Sequence, residues 1–188
     1  EKLKDLKISI VPGNPQGYIQ KKVQMFNNTV GYASQELGGN LIVREQWLEN
    51  PIWDIYILLN CEEADKIAEM IMENRCVYIP YLGKNDHLAD ICNSEIVELE
   101  TTSCENTVLS CLYLKKDGKL GIADDEDEDE WEDDEEDAPE FKYEEKLPIG
   151  IDDHLNLYQY ETFCYTNMKV ILKEKNILKT ENRRLVFY

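Results

Sequence analysis

The chain has 188 residues and a formal net charge of −19, with 39 acidic residues against 20 basic ones. A hydrophobic fraction of 43% is enough for a core, and no apolar run approaches the ~18 residues of a membrane-spanning helix. The length fits one domain with an extension, and the first residues carry no charged-then-apolar leader. We therefore expect a cytoplasmic protein without a membrane segment or a secretory signal.

The negative charge is concentrated in one run, residues 124–137, which holds thirteen carboxylates around Trp131. Thirteen of the nineteen excess negative charges therefore lie there, and a basic surface elsewhere remains compatible with the composition. Like charges at this density repel one another, which predicts a solvated insertion. The alternatives are a clamp for a basic partner and a brake on nonspecific nucleic-acid binding.

The cysteines and histidines predict neither disulfides nor a metal site. No C-x-x-C pair occurs, and most cysteines lie in apolar segments, so we expect reduced cysteines in the core. Neither His87 nor His154 has closely spaced cysteines beside it, so we expect no zinc site and no cofactor. The six cysteines are Cys61, Cys76, Cys92, Cys104, Cys111 and Cys164.

In chain order, residues 6–11 alternate apolar and polar side chains and predict a strand that ends at Pro12. Residues 16–43 show no clean period, and loops of this length are usually functional. Basic and aromatic residues are interleaved there, a composition that suits single-stranded nucleic acid because cations meet phosphates and rings stack on bases. A plain β-hairpin that closes its own small core is the alternative.

A strand–helix–strand unit follows. Residues 41–48 look extended, and the nearly all-apolar segment 53–59 predicts a central strand covered on both faces. Residues 60–74 carry apolar side chains on one helical face, with Asn60 as the expected N-cap. Residues 75–79 then predict the next strand.

A polar loop ends that strand. Pro80 cannot donate to a sheet ladder and predicts an edge position, whereas Gly83 permits a positive φ or the close approach of a ligand. Lys84, Asn85 and His87 add a charge, an amide and an imidazole. We interpret this loop as a contact for ribose or phosphate, with a plain surface turn as the alternative.

The second half of the chain is predicted to be mainly β. Alternating or β-branched segments recur, and a polar turn at 115–119 has the composition of a hairpin. The predicted ordered segments are 90–100, 106–114, 147–152, 158–165, 170–172 and 185–188.

These elements predict an α+β, ferredoxin-like fold. The order β, long excursion, β, α, β matches the last four elements of the βαββαβ arrangement, with the connection between the middle strands enlarged. The first strand and first helix are absent from the sequence. We expect a partial ferredoxin-like domain at 1–89 and a β-rich extension at 90–188 with the acidic insertion at 124–137.

Three segments, in order, resemble the CRISPR-associated Cas-five family, in the variety found in type I-B Cascade complexes. Together the similarity covers about 41–100 and 146–170, roughly half of the chain. The segments are Val43-Arg44-Glu45-Gln46-Trp47-Leu48 with Pro51 and Trp53-Asp54-Ile55-Tyr56, then Tyr78-Ile79-Pro80-Tyr81-Leu82-Gly83-Lys84-Asn85-Asp86-His87, then Leu147-Pro148-Ile149-Gly150 with Tyr158 and Phe163-Cys164-Tyr165-Thr166.

The resemblance implies an RNA-binding fold of the repeat-associated (RAMP) superfamily, which is ferredoxin-like or RRM-like. It also implies a function in antiviral defence, in which the chain caps the 5′ handle of a CRISPR RNA without being an enzyme. The implied partners are this RNA, the Cascade backbone subunit and the large subunit, with target DNA reached indirectly. The enlarged hairpin, called the thumb in this family, would map to about 12–43 and help to splay a base.

Within that interpretation we assign RNA contacts to nine residues. Bases would stack on two rings, those of Tyr18 and Phe26, and Gly83 would let the RNA backbone approach. Asn85 and His87 would meet bases or 2′-hydroxyls. Phosphates would meet four cations: Lys21, Lys22, Arg44 and Lys84.

Two other functions stay open. The first is a metal-independent endoribonuclease, with His87 and Lys84, or Tyr18 and Lys21, as base and cation. The second is an acidic interaction protein without an RNA function, which the run at 124–137 suggests. The missing first strand and helix, and the acidic run itself, depart from the family pattern.

Overall fold

The computed structural model describes residues 6–32, 35–102, 106–121, 139–152, 154–173 and 175–188. The acidic run at 124–137 and Cys104 lie outside these residues. In the described part the protein is mostly β, with one α-helix, α1 (Glu62–Met72), and one 3₁₀ turn, Pro15–Gly17. The thirteen strands among the described residues are β1 (Ile8–Pro12), β2 (Lys21–Asn27), β3 (Ile42–Leu48), β4 (Trp53–Ile57), β5 (Glu100–Thr102), β6 (Asn106–Val108), β7 (Tyr113–Leu114), β8 (Gly118–Leu120), β9 (Lys142–Ile151), β10 (Tyr158–Thr166), β11 (Lys169–Leu172), β12 (Ile177–Lys179) and β13 (Arg184–Leu185).

The predicted α+β, ferredoxin-like fold is wrong. Residues 75–79, which should form the strand after α1, are irregular, and Tyr78 is 84% exposed. Because no strand lies beside them among the described residues, their backbone groups have no ladder to join. The strand–helix–strand unit therefore does not form, and the protein divides instead into several small antiparallel sheets.

The strand predicted at 53–59 forms, but its predicted central position in a sheet is wrong. β4 pairs antiparallel with β1, from Ile8 opposite Ile57 to Pro12 opposite Trp53, and with no other strand in the described part. It therefore lies at an edge, and Ile55 is 59% exposed. The helix prediction is confirmed, although α1 begins after Cys61 rather than Asn60 and has no side-chain cap.

The excursion between β1 and β4 is a long hairpin. β2 and β3 pair from Lys21 opposite Leu48 to Asn27 opposite Ile42, which confirms that residues 41–48 are extended. The two strands form a sheet of their own. Because opposite residues point to the same side, this hairpin has one half-buried face and one exposed face.

The main core belongs to the second half of the chain and to β1. Three sheets surround it, with strand orders β7-β10-β9, β6-β11-β8 and β13-β12-β5. β1 is joined to this part by the mutual backbone hydrogen bonds of Ile8 and Tyr188, at 3.0 and 3.1 Å. The buried core side chains are Val11, Leu109, Cys111, Tyr113, Cys164, Val170, Ile177, Leu185, Val186 and Phe187.

The second half of the chain differs from the sequence prediction at three places. The predicted strand 90–100 is irregular until β5, and 106–114 splits into β6 and β7. The turn after β7 does not close a hairpin, because β7 pairs with β10 whereas β8 pairs with β11. It therefore links two sheets.

Five cysteines in the described part are free thiols. Cys111 and Cys164 are buried as predicted, whereas the prediction of core positions is wrong for Cys76 and Cys92, which are exposed in the irregular segment after α1. The described residues contain no group of three or more His, Cys, Asp or Glu side chains placed to hold a metal ion. Nor does the described part contain a helix with the length and apolar character needed to cross a membrane.

Candidate nucleic-acid interface

The polar loop after α1 is a compact turn. Gly83 has φ +79°, one of the two possibilities that the sequence left open for this glycine. Two backbone bonds close the loop: the N–H of Leu82 donates to the carbonyl of His87 at 2.7 Å, and that of Ala89 donates to Pro80 at 2.9 Å. The loop therefore presents Lys84 and His87 in fixed positions.

This loop packs on the half-buried face of the β2–β3 hairpin through five side chains, which we call the hairpin–loop cluster: Phe26, Glu45, Trp47, Lys84 and His87. The ammonium group of Lys84 binds the Glu45 carboxylate and lies 5.2 Å from the centre of the Phe26 ring. The His87 ring meets Trp47 edge to face, with centroids 4.8 Å apart. Trp47 Nε1 donates to Glu45 Oε2 at 2.9 Å.

Electrostatics keep Glu45 ionised within the cluster. The hydrogen bond from Lys84, and after it the one from Trp47, lower the pKa of the Glu45 carboxyl below its ordinary value of 4.5. The carboxylate therefore offsets the charge of Lys84 at neutral pH. A phosphate that binds Lys84 must compete with Glu45.

A second set of contacts fixes the base of the hairpin against β9. Lys21 Nζ binds Glu145 Oε1 at 2.5 Å, and the Tyr143 hydroxyl donates to the same carboxylate. The Tyr18 and Tyr143 rings meet edge to face at 6.2 Å. The hairpin thus contacts β9 at its base and the polar loop along its half-buried face.

The opposite side, which we call the outer face, is exposed and has no acidic residue. Its side chains combine two cations with amides and apolar groups, and Met25 is 66% exposed. Such a face is unusual in a chain of this composition. The residues of the outer face are Lys21, Val23, Met25, Asn27, Ile42, Arg44, Gln46 and Leu48.

The nine predicted RNA contacts fall into three places. Phe26, Lys84 and His87 join the hairpin–loop cluster. Tyr18 and Lys21 lie at the base of the hairpin. The other four are exposed: Lys22 and Arg44 on opposite faces of the hairpin, and Gly83 and Asn85 in the loop.

Sequence reasoning missed the residues that hold these contacts in place, Glu45, Trp47, Tyr143 and Glu145. A signal for the first two was present, because Val43, Glu45 and Trp47 alternate on one face of a predicted strand. Which loop this face would meet was not visible, since Lys84 lies 39 residues from Glu45.

Comparisons with protein-family models, with curated proteins and with solved structures found no match for this chain. The interpretation of the site therefore depends on its geometry and on the residues described above.

Proposed function

We propose that this chain is the RNA-binding subunit of a type I CRISPR Cascade effector complex, where it caps the 5′ handle of the CRISPR RNA. One observation supports the proposal: two of the three sequence segments that carry the resemblance, although far apart in the chain, are in contact at one hairpin. Residues 43–48 contact the loop at 78–87 through the hairpin–loop cluster. The third segment begins at Leu147, two residues after Glu145, which binds Lys21.

The charge distribution supports the same proposal. An extended hairpin with exposed cations and no carboxylate on its outer face suits a polyanion, and its apolar side chains suit bases or a protein neighbour. Arg44 and Lys22 are the exposed cations of this hairpin that have no ion-pair partner among the described residues, so they are the best candidates for phosphate contacts. Lys21 and Lys84 must first exchange a carboxylate for a phosphate.

The full assembly is tested by co-purification from a native host, followed by sequencing of bound RNA and mass spectrometry of companions. We expect short RNAs that share one repeat-derived 5′ end, together with the backbone subunit and the large subunit, which reach target DNA through the guide. A clean protein without RNA or CRISPR companions rejects the proposal.

RNA contact by the hairpin is tested by fluorescence anisotropy with single-stranded repeat RNA over a range of salt concentrations. Arg44→Ala should weaken binding and reduce the slope of log K against log salt by about 0.7, the value for one lost phosphate contact on a single strand. Lys119→Ala is the matched control, because it removes one exposed cation from β8. Equal losses in both variants would indicate a general charge effect instead.

The endoribonuclease alternative receives less support from the geometry. Of its two proposed cations, Lys84 is held by Glu45 and Lys21 by Glu145. His87 packs against Trp47. An assay for metal-independent cleavage of repeat RNA, with His87→Ala as the control, distinguishes the two functions. Cleavage that disappears in the variant would replace our proposal with the enzyme.

A further inference from the structure

A cleft of about 550 Å³ lies away from the hairpin–loop cluster. It forms where the end of β1, the 3₁₀ turn, the end of β10 and the turn between β12 and β13 meet. Its volume is within the usual range for small-molecule sites. Arg183 is the one charged residue in its described lining, which contains no carboxylate, although 39 of the 188 residues are acidic.

Two aromatic rings form an apolar wall of the cleft. Phe141 and Tyr165 lie with their centroids 5.6 Å apart, and their planes are inclined by 46°. The Tyr165 ring lies directly against Gly17, where a Cβ atom would overlap it. Burial raises the pKa of Tyr165, so its hydroxyl keeps its proton at neutral pH. This wall suits a planar, uncharged ligand that stacks.

Arg183 offers N–H donors to the cleft, and a neighbouring carboxylate offsets its positive charge. Its Nη1 atom contacts Asp54 Oδ2 at 2.7 Å and the Tyr56 hydroxyl at 3.1 Å. Both contacts use the same nitrogen, whereas a guanidinium has five N–H donors. Because Asp54 offsets the charge, the geometry favours a neutral acceptor edge over a phosphate.

Two amides complete the rim. Gln16 and Asn182 are exposed lining residues, and Gln16 has φ 57°, a backbone conformation that costs a non-glycine residue free energy and recurs at functional sites. The other amides are engaged: Asn14 contacts residues 50 and 52, and Asn167 bonds Phe141 and Pro139.

We propose that this cleft binds a single nucleobase, and that guanine fits it best. The base stacks on the Phe141 ring, and the inclined Tyr165 ring borders it. The O6 and N7 acceptors face Arg183, and the amides of Gln16 and Asn182 meet the remaining polar edge. The base belongs either to a free nucleotide or to a nucleotide of a bound RNA. This inference goes beyond the proposed function and does not depend on it.

The test is a titration of the isotope-labelled full chain with guanosine monophosphate or adenosine monophosphate, followed by NMR. We expect saturable shifts in the lining residues and affinity for the guanine nucleotide about tenfold higher than for the adenine nucleotide. The double variant Gln16→Gly with Asn182→Ala should bind it about tenfold more weakly. Glycine suits the positive φ at position 16, so this variant retains the fold. Gln20→Ala, an exposed amide outside the lining, should bind like the unchanged protein.

The outcomes separate the two proposals. Absence of saturable binding, or equal affinity in the double variant, overturns the nucleobase site whatever the hairpin does with RNA. If guanosine monophosphate binds, competition by an oligouridine carrying one guanosine identifies an RNA base as the occupant. Binding without such competition identifies a free nucleotide, and would stand even if the RNA-binding proposal failed.

Discussion

The region from β5 to Tyr188 and the segment 73–99 have similar apolar side chains but very different structures. In the first, three small sheets enclose a core in which Leu185 and Val186 are 0% exposed. In the second, one isolated bridge between Tyr81 and Leu88 is the only β pairing among its residues, all of which are described. Its exposed large apolar residues are Val77, Tyr78, Ile79, Tyr81, Leu82, Leu88, Ile91, Ile96 and Val97.

The difference shows that an apolar pattern alone does not form a strand. Residues 75–79 are rich in side chains that favour strands, as β10 is, but β10 has neighbours on both sides whereas 75–79 has none among the described strands. A strand needs a partner for its backbone N–H and C=O groups as well as a face to bury. Substitutions that change burial, contacts or charge in one of the two regions test this difference.

A substitution in the core should change the free energy of unfolding more than any other considered below. Leu185→Ala should lower the free energy of unfolding by about 2–5 kcal/mol, because a buried side chain is lost and a cavity remains. Ile79→Ala, at a position that is 67% exposed, should change it by no more than about 0.5 kcal/mol. Urea unfolding followed by circular dichroism measures both. Equal costs would mean that segment 73–99 is packed in solution.

A smaller and local effect is expected where the loop meets the hairpin. Glu45→Gln should weaken the ion pair with Lys84 and speed hydrogen exchange at the amides of Leu82 and Ala89, with little change in the urea midpoint. Glu62→Gln is the matched control, because it removes a carboxylate that binds Lys66 on α1. Faster loop exchange in the control as well would refute a specific function for the cluster.

The smallest effect should appear only in acid. Hydrogen bonds from Lys115 and Lys142 lower the pKa of Glu144 from 4.5 to about 2. Its stabilising contribution is therefore present above pH 4.5 and is lost as the pH falls towards 2, because the unfolded chain takes up the proton first. Glu144→Gln should flatten the pH dependence of unfolding in that window. Parallel curves for the variant and the unchanged protein would contradict this.

Local features of the fold were predictable from sequence, but pairing was not. Alternation identified the strand at 6–11 and the one at 158–165, and a 3.6-residue period identified α1. The ferredoxin-like arrangement failed because it required a ladder for residues 75–79, and no pattern within a segment shows whether its partner is present.

The candidate site was predictable to the same degree. Gly83, Lys84 and His87 stand out by residue type and position, and a positive φ was one of the two possibilities considered for Gly83. The ion pair of Lys84 with Glu45 was not predictable, because the two residues lie 39 positions apart in the sequence. The cleft was hidden more completely, since its lining comes from several segments, none with a motif of its own.

The contact between Gly17 and Tyr165 has a consequence for how this sequence can change over evolution. Gly17 has φ +65°, and any side chain there would overlap the ring of Tyr165. A larger residue at position 17 therefore requires a smaller one at position 165. In related sequences we expect the two positions to change together. Covariation between these two positions, which lie 148 residues apart in the sequence, would reflect this packing.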